Sequence, residues 1–162
     1  MKIFNNRYKG KNYKSLTRLA AVQAIYRNSF ENLSFEKIFE EFSSGDLFQT
    51  IDDKFVDKVD WTFFENLLKG EDLNKEKIED LIRKTLHQRS LNKMELVLAA
   101  IIKVGVCELL IFPDIPARVI IDEYVKITVA FFDGDQSSLT NGVLDKLARE
   151  LRGDEFKNFG TA

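Results

Sequence analysis

Lys2, Arg7, Lys9, Lys11, Lys14, Arg18 and Arg27 all precede the first acid of the chain, Glu31. With +7 in these first 30 residues and −2 overall, the other 132 residues carry −9. A near-neutral total therefore conceals a basic head on an acidic body. A segregated positive field is what a polyanion responds to, although a like-charge block also occurs as a solvated, flexible tail. If the head were helical, Arg7, Lys11, Lys14 and Arg18 would form one stripe at spacings of four, three and four. Gly10 works against a preformed helix there, which leaves part of the arm to order on binding.

Other chemistry is sparsely supplied. The chain has no Gly-rich phosphate loop, no GxGxxG and no GxSxG. His87 is the sole histidine and Cys107 the sole cysteine, too few and too far apart for a metal ligand set. His87 reads as a surface or capping residue near a helix C-terminus. Cys107 lies between Val104, Val106 and Leu109 and reads as a small buried hydrophobe rather than a nucleophile. Asp52-Asp53 and Glu40-Glu41 are sequence neighbours, and adjacent positions do not share a helix face, so they make poor acid/base couples. The residues equip the chain for no reaction, and no cofactor or metal is expected.

The elements that must position the basic head follow from length and periodicity. A chain of 162 residues is long enough for one domain with its own core, and one cysteine excludes an internal disulfide and suits a reducing cytoplasm. The N-terminus lacks the apolar run of a signal peptide. The longest apolar stretch, Ala99–Phe112, is interrupted by Lys103 and Glu108, so no membrane span is expected. Residues 1–13 read as a flexible basic arm, 14–152 as an all-helical domain and 153–162 as a C-terminal tail.

Helical spacing runs from Ser15 to Phe30 through Leu19, Val22, Ile25 and Tyr26. Ser34 reads as the N-cap of a helix with Ile38, Phe39 and Phe42 inward, closed by Ser43-Ser44-Gly45-Asp46. Val56–Leu68 forms a third helix, stopping near Gly70. Asn74 caps a fourth, with Ile78, Leu81, Ile82 and Leu86 inward. Asn92 and Glu95 resemble a capping box before the most apolar helix, which runs to about Phe112 and belongs at the centre. Pro116 fits the first position of the next helix. Within it, Val119-Ile120-Ile121 reads equally well as a short strand. The last helix spans about Ser137–Leu151, with Asn141-Gly142 in or near its first turn rather than in a hairpin, because the flanks do not alternate. The sum is about seven helices and an all-α fold.

Five strings in fixed order carry a family resemblance. They are Arg18-Leu-Ala-Ala-Val-Gln-Ala-Ile-Tyr26, Ala100-Ile-Ile-Lys-Val-Gly-Val-Cys-Glu-Leu-Leu110, Ile115-Pro-Ala-Arg-Val-Ile-Ile-Asp-Glu-Tyr124, Ala130-Phe-Phe-Asp-Gly-Asp135 and Thr140-Asn-Gly-Val-Leu-Asp-Lys-Leu-Ala148. Over roughly residues 14–152 the chain resembles NusB, the bacterial transcription antitermination family. The resemblance implies a compact two-bundle helical fold and no enzymatic activity. It implies binding of boxA single-stranded RNA in ribosomal RNA leader transcripts together with NusE, a small-subunit ribosomal protein. Other Nus factors and RNA polymerase complete the implied assembly. Family members occur as monomers and as homodimers. Two alternatives stand beside it: the NusB-like domain of a ribosomal RNA cytosine methyltransferase, and a helical adaptor without specific RNA binding.

The resemblance also nominates residues. Arg7, Lys11, Lys14 and Arg18 are the expected phosphate contacts. About four of them would give a salt slope near −3 at roughly −0.7 per phosphate. Lys14-Ser15-Leu16 replaces consecutive arginines of the family, and Lys lacks their planar fork. Tyr26 is expected either to stack on a base or to sit in the core with a bonded hydroxyl. Asp135 is expected to accept from a base edge or to cap the last helix. Ser138 and Leu139 complete this second contact, with Leu139 replacing an aromatic. Lys103, where the family favours Arg, reads as structural or interface-facing. The acidic body suits a basic partner such as NusE, with the outward faces of the last three helices as its expected footprint.

Overall fold

In a computed structural model, residues 13–44, 56–86 and 91–157 are described. They form α1 (Tyr13–Glu31), α2 (Phe35–Ser43), α3 (Trp61–Leu73), α4 (Lys75–Leu86), α5 (Leu96–Ile111), α6 (Ala117–Phe131), α7 (Gln136–Leu151) and α8 (Gly153–Phe156). Single 3-10 turns at Val56–Lys58 and Leu91–Lys93 lead into α3 and α5. Among the described residues there is no strand, and Val119-Ile120-Ile121 lies within α6. Arg7 and Lys11, with Lys9, Tyr8, Gly10 and His87, lie outside the described residues.

α5 is the axis. Leu98, Ala100–Ile102, Val104, Val106, Cys107 and Leu109 are all buried, so no face of the helix is left wholly to solvent. It packs against α1, α3, α4, α6 and α7, so one helix joins most of the others into a single core. Each buried Leu, Ile or Val of α5 contributes about 1.5–3 kcal/mol through burial. Gly105 lets α5 approach α7: an added Cβ would sit 3.0 Å from both methyls of Leu144 and 3.3 Å from the Tyr124 ring.

Local signals set the ends. Asn32 at φ 48° stops α1 in the left-handed region that Asn tolerates, and its N–H donates to the Asn28 carbonyl at 3.1 Å. The Ser34 hydroxyl accepts from the Lys37 N–H at 3.3 Å, as expected of an N-cap. Asp60, not singled out in the sequence, caps α3 by accepting from Phe63 N–H at 3.0 Å.

Several boundaries differ from expectation. Val56–Lys58 forms a 3-10 turn and α3 begins only at Trp61, behind the Asp60 cap, and Pro116 is the N-cap of α6 rather than its first residue. α3 passes Gly70 and ends at Leu73, because Gly70 sits buried where a Cβ would run into the Ile111 side chain. The Asn74 side chain turns back to donate to the Gly70 carbonyl at 2.8 Å, closing α3 instead of opening α4. No capping box forms at Asn92: it lies in the 3-10 turn, and Glu95 holds the N-cap position of α5 without a side-chain bond.

The expected tail from residue 153 is also corrected as far as 157. Arg152 donates to the carbonyls of Leu109 (2.9 Å), Phe112 (2.7 Å) and Ile115 (2.5 Å), and Glu155 accepts from Ala117 N–H at 2.8 Å. One short segment thereby satisfies the end of α5 and the start of α6 together, groups a helix cannot satisfy itself.

Candidate nucleic-acid interface

The basic head enters the fold through the first turns of α1. Ser15 to Val22 are buried without interruption, so this is an inserted helix rather than a surface one. Thr17 fixes its start: the hydroxyl donates to the Tyr13 carbonyl at 2.5 Å and accepts from the Asp60 N–H at 2.8 Å. Lys14 stays exposed, with its ammonium 5.6 Å from the centre of the Phe63 ring. The Arg18 guanidinium lies over the same ring at 5.4 Å.

Arg18 corrects the sequence-based expectation. Only 3% exposed, it donates from Nε and Nη2 to Glu108 at 2.6–3.1 Å, and Glu108 is fully buried. The Tyr124 hydroxyl donates to the same carboxylate at 2.7 Å, and Glu123 lies 3.8 Å from Nη1. Burial alone would lower the Arg18 pKa, yet the bond and charge of Glu108, with Tyr124 and Glu123, hold it above its ordinary value. Burial first, and then the Glu108 charge, push the Tyr124 hydroxyl well up. A guanidinium committed in this way has no fork to offer a phosphate. The charge in the stripe is real, but one member of it belongs to the core.

Tyr26 lies between its two expected roles. It is partly buried against the core, and its ring meets Phe30 edge-on at 5.2 Å, with Phe30 63% exposed. An aromatic pair therefore reaches the surface two turns along α1 from Arg18.

The second contact region is looser. Asp135 occupies the N-cap position of α7, but its side chain makes no cap bond; the backbone carbonyl accepts from Ser138 and Leu139 N–H at 3.1 and 3.2 Å. Asp135 and Ser138 are exposed, whereas Leu139 packs against the core, where an aliphatic side chain suffices. Deeper in the helix, the Thr140 and Thr128 hydroxyls pair at 3.0 Å and join α7 to α6. The two regions share supports: α1 packs on α3 and α5 and is reached by α6 through Tyr124 and Glu123, while α7 packs on α6 and α5.

The NusB family matches residues 15–149 of the chain. "Transcription antitermination protein NusB" of Bradyrhizobium diazoefficiens is 34% identical over 146 residues, 90% of this chain and 88% of its own length. That of Allorhizobium ampelinum is 36% identical over 142 residues, covering 87% and 89%. The chain belongs to the NusB family. Solved NusB from T. maritima superposes with a TM-score of 0.71 at 29% identity, over 89% of this chain and 96% of that one. A chain in a crystal structure of a plectonemic RNA supercoil superposes with a TM-score of 0.70 at 19% identity over 94% and 100%, a likeness of fold alone.

Within this NusB fold, the groups that position α1 were not among the sequence-predicted ones. Glu108 and Tyr124 hold Arg18, and Asp60 meets Thr17. The available signal was Glu108 itself: an acid inside the most apolar helix implies a buried cationic partner. Lys103, read as structural or interface-facing, donates to Glu79 at 3.2 Å and ties α5 to α4. Cys107 is buried, its thiol 3.6 Å from the Leu67 carbonyl, and burial raises its pKa, so thiolate chemistry is disfavoured. No described helix is long and apolar enough to cross a membrane, and no metal-ligand cluster occurs among the described residues.

Proposed function

We infer that this NusB-family chain is a cytoplasmic transcription antitermination factor. It binds boxA RNA of ribosomal RNA leaders together with NusE and joins other Nus factors on RNA polymerase. The observation that carries the reading is the family match over residues 15–149, with the basic head feeding directly into the matched α1. Relatives named as antitermination proteins align over 86% or more of their own length, which favours this reading over a methyltransferase domain.

The burial of Arg18 leaves Arg7, Lys11 and Lys14 as the proposed phosphate contacts, with Tyr26 as base stacker and Asp135 and Ser138 reading a base edge. Three phosphates give a salt slope near −2 instead of −3, at roughly −0.7 each. For NusE, the outward residues of α6 and α7 mix Asp122 and Glu150 with Lys126, Lys146 and Arg149, so charge alone does not mark that face. A charge-reversal series there that leaves NusE affinity unchanged removes the footprint.

The test is a fluorescence-anisotropy titration of a short boxA RNA and a scrambled RNA, with and without NusE, at two salt concentrations. Preference for boxA, strengthened by NusE, is the expected result. Equal salt-sensitive binding of both RNAs with NusE present would reduce the chain to a basic-headed helical adaptor.

A further inference from the structure

We propose that Arg18 and its buried partners Glu108 and Tyr124 are positioning residues for RNA binding: they hold the first turn of α1, and so the origin of the basic arm, without touching RNA. This rests on the RNA-binding reading above.

First turns of helices ordinarily fray, because their N–H groups lack intrahelical partners and little packs on them. Here three independent restraints converge within five residues. The two-nitrogen grip of Arg18 on Glu108 ties α1 to α5, and Tyr124 of α6 secures the same carboxylate. Thr17 joins the Tyr13 carbonyl to the Asp60 N–H, tying the turn to the start of α3. Phe63 lies under both Lys14 and Arg18, and is itself held edge-on by Phe112 at 4.9 Å. Lys14, the exposed cation, stands one helical turn before Arg18 over the same ring. Any loosening of Arg18 therefore reaches Lys14 directly.

The energetic logic is preorganisation. A cation fixed before binding does not lose its freedom on binding, whereas a frayed turn must be ordered at the expense of affinity. A positioning residue and a phosphate contact then leave different signatures. Losing a contact lowers the salt slope by about 0.7, whereas losing a positioning residue lowers affinity and leaves the slope alone.

The experiment compares full-length wild type with three variants, by anisotropy on a fluorescein-labelled boxA RNA across a salt series. They are Lys14→Ala, Tyr124→Phe, and Arg18→Met combined with Glu108→Gln. The double variant removes both charges together, which avoids an unpaired buried carboxylate, and circular dichroism establishes that each variant is folded. Lys14→Ala should flatten the slope by about 0.7. The double variant should weaken binding about tenfold, the scale of one residue's lost order, with the wild-type slope. Tyr124→Phe should follow it at about threefold and carries the test if the double variant does not fold. Wild-type affinity in the folded variants would make the network merely structural and overturn the proposal. A slope loss like that of Lys14→Ala would overturn it by making Arg18 a contact. Wild type with no salt-dependent RNA binding would refute the underlying function, and the proposal with it.

Discussion

The two stretches expected to meet RNA are built in opposite ways. The start of α1 is tied to α5 by a buried ion pair that Tyr124 of α6 also secures, and to α3 by a hydroxyl relay and a shared aromatic ring. The start of α7 has an exposed Asp135 that caps nothing with its side chain and an exposed Ser138, with Gln136, Ser137 and Leu139 part-buried. One is a platform fixed before any ligand arrives; the other is a helix end whose polar groups remain available. The difference shows that a charge pattern in sequence does not separate cations that hold a fold from cations that hold a ligand. Lys14 and Arg18 are one turn apart on the same stripe, and they fall on opposite sides of that division.

The sharpest way to break this contrast is to delete one side chain from each region. Arg18→Ala leaves the Glu108 carboxylate buried without its cation, which costs about 3–5 kcal/mol. Asp135→Ala removes an exposed side chain with no cap bond and should stay within about 0.5 kcal/mol. Urea denaturation measures both. Comparable losses at the two positions would show that the α7 start is as tightly built as α1.

A second, smaller effect lies on the alkaline side. Tyr124→Phe removes one hydrogen bond to a charged acceptor and should cost about 2 kcal/mol near neutral pH. The folded-state pKa of Tyr124 is raised by burial and by Glu108. Below the ordinary tyrosine pKa of about 10, both states keep the proton and the contribution is intact. As pH rises above it, the unfolded chain ionises and the folded one does not, so stability falls towards the raised folded value. The wild type should therefore lose stability above about pH 10 more steeply than Tyr124→Phe, as read from urea midpoints across pH. Parallel alkaline limbs would show that the Tyr124 hydroxyl is not confined as the structure places it.

The helices that carry the α1–α7 contrast were legible in advance; the contrast itself was not, and for a physical cause. Periodicity exposes helices because each turn repeats the same burial. It therefore gave the all-α class, the central place of α5 and the Ser34 cap. The choice between helix and strand at Val119-Ile120-Ile121 needed the neighbours of α6, since β-branched residues serve both. The burial of Arg18 depends on Glu108, 90 residues away, a pairing that no local pattern contains. Arg152 and Glu155 escaped for the same reason: their bonds run to Leu109, Phe112, Ile115 and the Ala117 N–H, so the expected tail belongs to the fold as far as residue 157. Of the site residues, Lys14, Asp135 and Ser138 are exposed as a contact requires, Tyr26 is partly buried, and Arg18 is withdrawn.

The smallest expected effect sharpens the α7 side. Asn141-Gly142 is a hairpin signal in isolation, yet Gly142 lies inside α7. It is exposed, and an added Cβ would meet nothing within 4 Å. Glycine at such a position costs helix stability, because its unfolded chain has more freedom to lose and no side chain compensates. Gly142→Ala should therefore stabilise the protein, by up to about 1 kcal/mol, as a rise in the urea midpoint at constant slope. The same change moves no cation, so the RNA salt slope should not move. A destabilised Gly142→Ala would mean that α7 opens at Asn141-Gly142 in solution, and the looseness at Asp135 would then extend a full turn into the helix. Stabilisation would confine it to the five residues before Thr140, whose hydroxyl bond to Thr128 marks where the packed part of α7 begins.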